Sequence, residues 1–133
     1  MNLEPLYTLT GNAVVEDLGK VQDGERIKIE FRGTTAADSP IKGKAHGSSW
    51  ILVGSAGPGA TSAVQEVLTP DGARVVVELQ GYTVARHGGG REIRTCGMIR
   101  SSAAAFDHLN GRIAVVIETV AQDNTVTVRA YRL

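Results

Sequence analysis

Residues 25–32 read ERIKIEFR, in which Ile27, Ile29 and Phe31 alternate with Arg26, Lys28, Glu30 and Arg32. Successive side chains of an extended chain point to opposite faces, so the pattern describes a strand with one apolar and one charged side. A helix would scatter the same residues around its circumference. Working outward, further β-branched segments fall at about residues 4–10, 41–46, 49–53, 61–68, 73–82, 92–99, 112–120 and 124–132. That makes eight or nine strands, separated by Gly, Pro, Asp and Asn, as expected of an antiparallel all-β barrel or sandwich.

The turns fit this order. Thr69-Pro70-Asp71-Gly72 and Gln122-Asp123-Asn124 supply the preset φ and the residue tolerant of positive φ that tight reversals need. His87-Gly88-Gly89-Gly90 reads as a flexible hairpin tip, suited to a lid. One short helix is expected over residues 103–109, with Ser101 or Ser102 as its N-cap and Gly111 beyond its end.

At 133 residues the chain is most simply one domain, from 1 to 133, long enough to bury roughly two thirds of its unfolded surface. Fourteen basic residues balance fourteen acidic ones, which removes the usual electrostatic drive for binding nucleic acid. A single cysteine, Cys96, excludes an intrachain disulfide, and no CxxC or HxH spacing suggests a metal. Neither a cofactor nor a metal is expected. No apolar run is long enough for a membrane span, and the start MNLEPLYTLTG lacks the basic and apolar regions of a signal peptide, so a cytoplasmic location is expected.

Residues 44–60, KAHGSSWILVGSAGPGA, invite comparison with a phosphate-binding loop. Such a loop needs a following helix and, in its P-loop form, a Lys-Ser/Thr pair, whereas ATSAVQEVLT follows here. The stretch reads instead as a strand, a bend at Gly47, a second strand begun by Trp50, and a glycine-proline turn.

Taken together, Leu3-Glu4-Pro5-Leu6-Tyr7-Thr8-Leu9, Gly47-Ser48-Ser49-Trp50 with Ile51-Leu52-Val53, Asp71-Gly72-Ala73 before a strand reaching Gly81, Leu109-Asn110, and the closing Val126–Leu133 resemble the family called domain of unknown function 3237, found in bacteria and fungi. The likeness spans nearly the whole chain and lies in the order and spacing of these pieces. It implies a small closed or nearly closed β-barrel of calycin or allene-oxide-cyclase-like shape. That family usually carries an acidic residue just before the tryptophan. Ser49 stands there in this chain, so no role of that carboxylate transfers.

Polar residues on the second face of the strands offer candidate chemistry. In a sandwich that face meets solvent, whereas in a barrel one face of every strand points inward, and a slip of one residue inverts the assignment. With the polar face inside, Glu30 or Glu78 is the base, Arg32 or Arg94 stabilises an enolate or carboxylate, and Tyr82 or His46 donates a proton. The expected catalytic set is Glu30, Arg32, Glu78 and Tyr82, and the expected ligand-binding set is His46, Trp50 and Arg94. Trp50 has a second reading as a core plug, and Cys96 reads as a small buried hydrophobe rather than a nucleophile. The absence of GxSxG excludes an α/β-hydrolase.

Two functions stay open: a cofactor-independent isomerase, cyclase or lyase acting on a small aromatic or hydrophobic carbonyl compound, or a non-catalytic carrier of a similar ligand. Residues 113–120, IAVVIETV, are apolar at both parities, and a strand of that kind needs a cover, so a homo-oligomer is expected.

Overall fold

The computed structural model describes residues 2–54 and 57–133. Its strands are β1 (Glu4–Val21), β2 (Gly24–Thr35), β3 (Lys44–Gly54), β4 (Gly59–Leu68), β5 (Arg74–Ala85), β6 (Arg91–Ser101), β7 (Ile113–Val120) and β8 (Thr125–Arg132). Each runs antiparallel to the next, and β8 pairs back onto β1. The result is a closed up-and-down barrel, which leaves no sheet edge unpaired.

Two expected strands merge. Residues 41–46 and 49–53 belong largely to the continuous β3, and no bend breaks it at Gly47. Gly47 faces Phe31 across the β2–β3 ladder, and a Cβ at position 47 would lie 2.2 Å from the Phe31 ring. Its role is to make room for that ring. β1 runs well past residue 10 because bulges between Pro5 and Tyr7 and between Asp17 and Gly19 let one strand serve β8 along its first half and β2 along its second. The expected helix is a 3₁₀ helix, Ala104–Leu109; Ala103 begins it without a side-chain cap, and the Ser101 hydroxyl accepts the Ala103 N–H instead. The Thr69–Gly72 and Gln122–Asn124 turns form as expected, with Gly72 at φ +89° and Asn124 at φ +68°. The glycine-proline turn expected after Gly54 includes residues 55 and 56, which lie outside the described residues.

Inside, Leu9, Ile29, Val67, Val75, Val77, Ile93, Ile99, Val116, Val126 and Val128 fill the barrel. Each such side chain taken from water stabilises the fold by roughly 1.5–3 kcal/mol. Gly97 also faces inward. A Cβ there would lie 1.7 Å from the Glu78 carbonyl oxygen, so only glycine permits this close approach of β5 and β6. One end of the barrel is closed by Leu6, Ile41 and Leu109, with Phe106 packed against them and the Ile41 N–H bonded to the Leu6 carbonyl. The opposite end carries the β1–β2, β3–β4, β5–β6 and β7–β8 connections and forms a mouth. None of the described helices is long and apolar enough to cross a membrane.

Candidate functional site

The apolar parity of each strand takes the lumen, and this inverts the expected site. Ile27, Ile29 and Phe31 point inward, so Glu30 and Arg32 point outward. The side chains of Glu30 and Glu78 are 55% and 57% exposed. Glu30 lies 2.6 Å from Lys28, whose hydrogen bond and charge hold its carboxyl below the usual carboxylate range. Glu78 faces Arg100, and Arg32 sits in register with His46, which pairs with Glu66 at 3.5 Å. Glu30, Arg32, Glu78 and His46 therefore form a solvated outer face and no catalytic cluster. The physical reason is that a barrel this small fills its lumen with side chains, and the β-branched set fills it with the least polar desolvation.

Trp50, Tyr82 and Arg94 do come together, also outside. They border a shallow groove of about 900 Å³ that crosses the outer face of the sheet beside Leu52, Cys96 and Ile117. Its floor is the backbone of the inward-facing row Ile51, Thr61, Gly81 and Thr95. Trp50 is neither a core plug nor at the mouth, Lys28 stands 5.5 Å from its ring, and Cys96 is exposed rather than buried. Arg94 is held by Glu92 at 2.6 Å. The groove thus gathers aromatic surface beside the paired Arg94 and the unpaired Arg26, and no carboxylate is among its described lining residues.

The interior holds a polar chain that the expected set omitted. Tyr7 on β1, Gln65 on β4 and Glu118 on β7 all face the lumen. Because β4 lies three strands from both β1 and β7 around the barrel, the hydrogen bonds of Gln65 cross it. The Tyr7 hydroxyl donates to Gln65 Oε1 at 2.7 Å, and Gln65 Nε2 donates to Glu118 Oε1 at 3.3 Å. Both ends of the Gln65 amide are thereby fixed. Glu118 is 2% exposed, and its Oε2 is buried with no hydrogen-bond partner among the described residues.

Burial pushes the Glu118 carboxyl up to about 7 against the lowering effect of the Gln65 bond. Burial, and then the nearby Glu118 charge, push the Tyr7 phenol well above its ordinary value. A carboxyl poised near neutrality in a dry interior can both take and return a proton. The β1 bulge at Pro5/Tyr7 aims the phenol into the barrel, placing Tyr7 in register with the inward Ala130.

Above this chain lies the mouth, a cavity of about 400 Å³. Val53, Ala85 and Val120 give it apolar walls, while Thr83, Arg91, Gln122 and Asn124 give it polar ones. Thr61 and Thr83 share a buried hydroxyl contact of 2.7 Å at its base. Thr61 donates to the Gly59 carbonyl, so Thr83 donates to Thr61. Glu118 is one inward position below Val120, which pairs with Arg91, and Glu118 itself pairs with Ile93. The loop 87–90 borders this mouth, with Gly88, Gly89 and Gly90 at φ +91°, +109° and +77°.

Sequence alone held one signal for this site. In IAVVIETV, Glu118 shares its parity with Ala114, Val116 and Val120, an acid among residues that must be buried. Tyr7 and Gln65 carried no such mark, since they lie 58 residues apart and meet only when the barrel closes.

No family model and no curated protein matches this chain. Solved structures do. A protein of unknown function from Clostridium acetobutylicum ATCC 824 is 18% identical with a TM-score of 0.81, covering 100% of this chain and 99% of that one. A beta-barrel-like protein from Acinetobacter baumannii AYE is 23% identical with a TM-score of 0.75, covering 98% and 94%. An enzyme from Penicillium herquei is 16% identical with a TM-score of 0.70, covering 98% and 93%. At these identities the likeness is one of fold.

Proposed function

We propose that the protein is a small-molecule-binding barrel that performs acid/base chemistry in its lumen, as a cofactor-independent isomerase, cyclase or lyase acting on a small aromatic or hydrophobic carbonyl compound. Glu118 transfers the proton. The observation that carries this reading is the unpartnered, buried Oε2 of Glu118 beneath the mouth. A carrier needs no such group, and leaving a polar atom unsatisfied in an apolar interior costs about 1–3 kcal/mol.

In the simplest cycle a ligand enters through the mouth past Val120. Glu118 Oε2, as carboxylate, takes the proton from the carbon next to the ligand carbonyl, and the C–H electron pair moves into an enolate. In a compound with a double bond conjugated to that enolate, the resulting carboxylic acid returns the proton to the far carbon of the dienolate, the double bond shifts into conjugation with the re-formed carbonyl, and the carboxylate is restored. Gln65 acts as a positioning residue by holding Oε1, so that Oε2 is the oxygen left to react, and Tyr7 fixes the Gln65 amide. A carboxyl near neutrality suits both halves of the cycle. A 400 Å³ mouth matches a compound of one or two rings. The outer-face residues take no part in this reading. We propose with it that the chain belongs to the uncharacterised family that its sequence resembles; its likeness in fold to barrels of unknown function supports this.

Solvent-deuterium incorporation into a panel of aryl ketones in D₂O, followed by NMR, tests the proposal. The wild type should accelerate exchange into at least one member, E118Q should not, and E30Q with E78Q should behave as wild type. Equal exchange by wild type and a folded E118Q sinks the proposal.

A further inference from the structure

We propose that the ligand of the mouth is anionic and that Arg91 is the residue that holds its carboxylate. This rests on the reading of the lumen as the binding site and narrows the ligand from a small carbonyl compound to one carrying a negative group.

Arg91 opens β6 at the parity of Ile93 and Thr95, so it belongs to the inward row of the barrel and forms that row's rim. It is half-buried, lines the mouth, and pairs across the sheet with Val120 on one side and Ala85 on the other. Among the described residues no carboxylate lies within 4.0 Å of its guanidinium; Arg26, Arg32, Arg86, Arg112 and Arg129 are likewise without an ion pair, but of these arginines Arg91 alone lines the mouth.

The acids around it are accounted for. Glu92 is taken by Arg94. Glu25 is raised by its hydrogen bond to Asp17 and by the Asp17 charge, and Arg91 opposes this only as a lesser influence. Glu118 lies diagonally across the β6–β7 ladder, yet its hydrogen bond goes to Gln65. An arginine without a carboxylate partner, set among the apolar Val53, Ala85 and Val120 and flanked by Gln122, is built to receive a planar anion through its two-pronged guanidinium.

The spacing supports one ligand gripped at two points. Along β7, Val120 beside Arg91 and the proton-transfer group Glu118 are two residues apart, about 7 Å of strand. A carboxylate on Arg91 therefore leaves the apolar body of a ring-sized compound directed down the lumen toward Glu118 Oε2. A neutral compound of the same shape loses the anchor.

Two probes that differ in charge alone, phenylacetate and phenylacetamide, test this when titrated into the whole protein and followed by amide NMR signals of Thr83, Arg91 and Val120. Phenylacetate should move these signals with at least tenfold higher affinity than phenylacetamide. R91Q should reduce phenylacetate binding about tenfold, R91K should retain part of it, and E30Q, on the solvated outer face, should bind as wild type. Melting of R91Q at the wild-type temperature establishes that it folds. Equal affinity for the two probes, unchanged binding to R91Q, or no phenylacetate-induced shift at the mouth each overturns the proposal. Failure of the anchor and failure of the chemistry are separable. Arg91-independent binding with Glu118-dependent deuterium exchange removes only the anchor, and Arg91-dependent binding without that exchange removes only the proton transfer.

Discussion

Substituting glutamine for Glu118 should abolish a fall in stability that the wild type shows between weakly acidic and weakly basic pH. The carboxyl is raised from an ordinary 4.5 to about 7 by burial, so the folded protein keeps a proton that the unfolded chain has released. Stability from this group is therefore complete below about pH 4.5, declines as pH rises, and is lost above about pH 7. At ~1.4 kcal/mol per unit, the fall is about 3 kcal/mol, or on the order of 10 °C in Tm for a domain of this size.

The E118Q amide has the same shape, keeps an oxygen to accept from Gln65, and carries no charge to bury. The assay is urea unfolding followed by circular dichroism from pH 5 to pH 9, with both proteins in one buffer series. The two curves should diverge as pH rises. The stability of E118Q relative to wild type should rise from pH 5 to about pH 7 and stay level from there to pH 9, where E118Q is more stable by up to about 3 kcal/mol. The lowered carboxyls of Asp71 and Asp123 titrate with the opposite sign and at lower pH, so they leave this window clear. A wild-type stability that is constant or rises from pH 5 to pH 8, or an equal fall in E118Q, refutes the assignment of a dry, unpartnered carboxyl.

Y7F should destabilise the protein by about 1–3 kcal/mol, far more than a surface Tyr-to-Phe change, because Gln65 Oε1 would stay buried without its donor; chemical denaturation measures this. G47A should cost at least about 1–3 kcal/mol, because its Cβ would enter the Phe31 ring, and combining it with F31L should recover part of the loss in thermal melts. A double mutant no more stable than G47A would show that the strain lies elsewhere.

The strand pattern was legible because β structure writes its period locally. ERIKIEFR needs only its own eight residues to declare two faces. What it does not declare is which face the closed sheet turns inward, and the expected site depended on that choice. The polar row of Glu30 and Glu78 would be costly to bury inside a barrel, but on the outside it meets water and costs little. The Gly47 bend failed for a related reason. A glycine in a strand marks either a break or a close neighbour, and only the β2–β3 register, which puts Phe31 opposite, tells which.

The same reasoning explains why Glu118 is the more informative residue. A charged side chain on a strand's polar face carries little information, since that face is solvated under many folds. A charged side chain on the apolar face is tolerated only where something outweighs its desolvation, either a partner or a function. Gln65 Nε2 supplies one hydrogen bond, to Oε1, while its amide oxygen accepts from Tyr7. Two of the three members are satisfied by the chain itself, and the third has an oxygen left over. A network kept only to fix the core would close on itself, and replacing Glu118 by glutamine would then alter stability without altering chemistry. An open network leaves Glu118 Oε2 without a partner among the described residues, one inward position below Val120, and that oxygen is the one the proposed proton transfer uses.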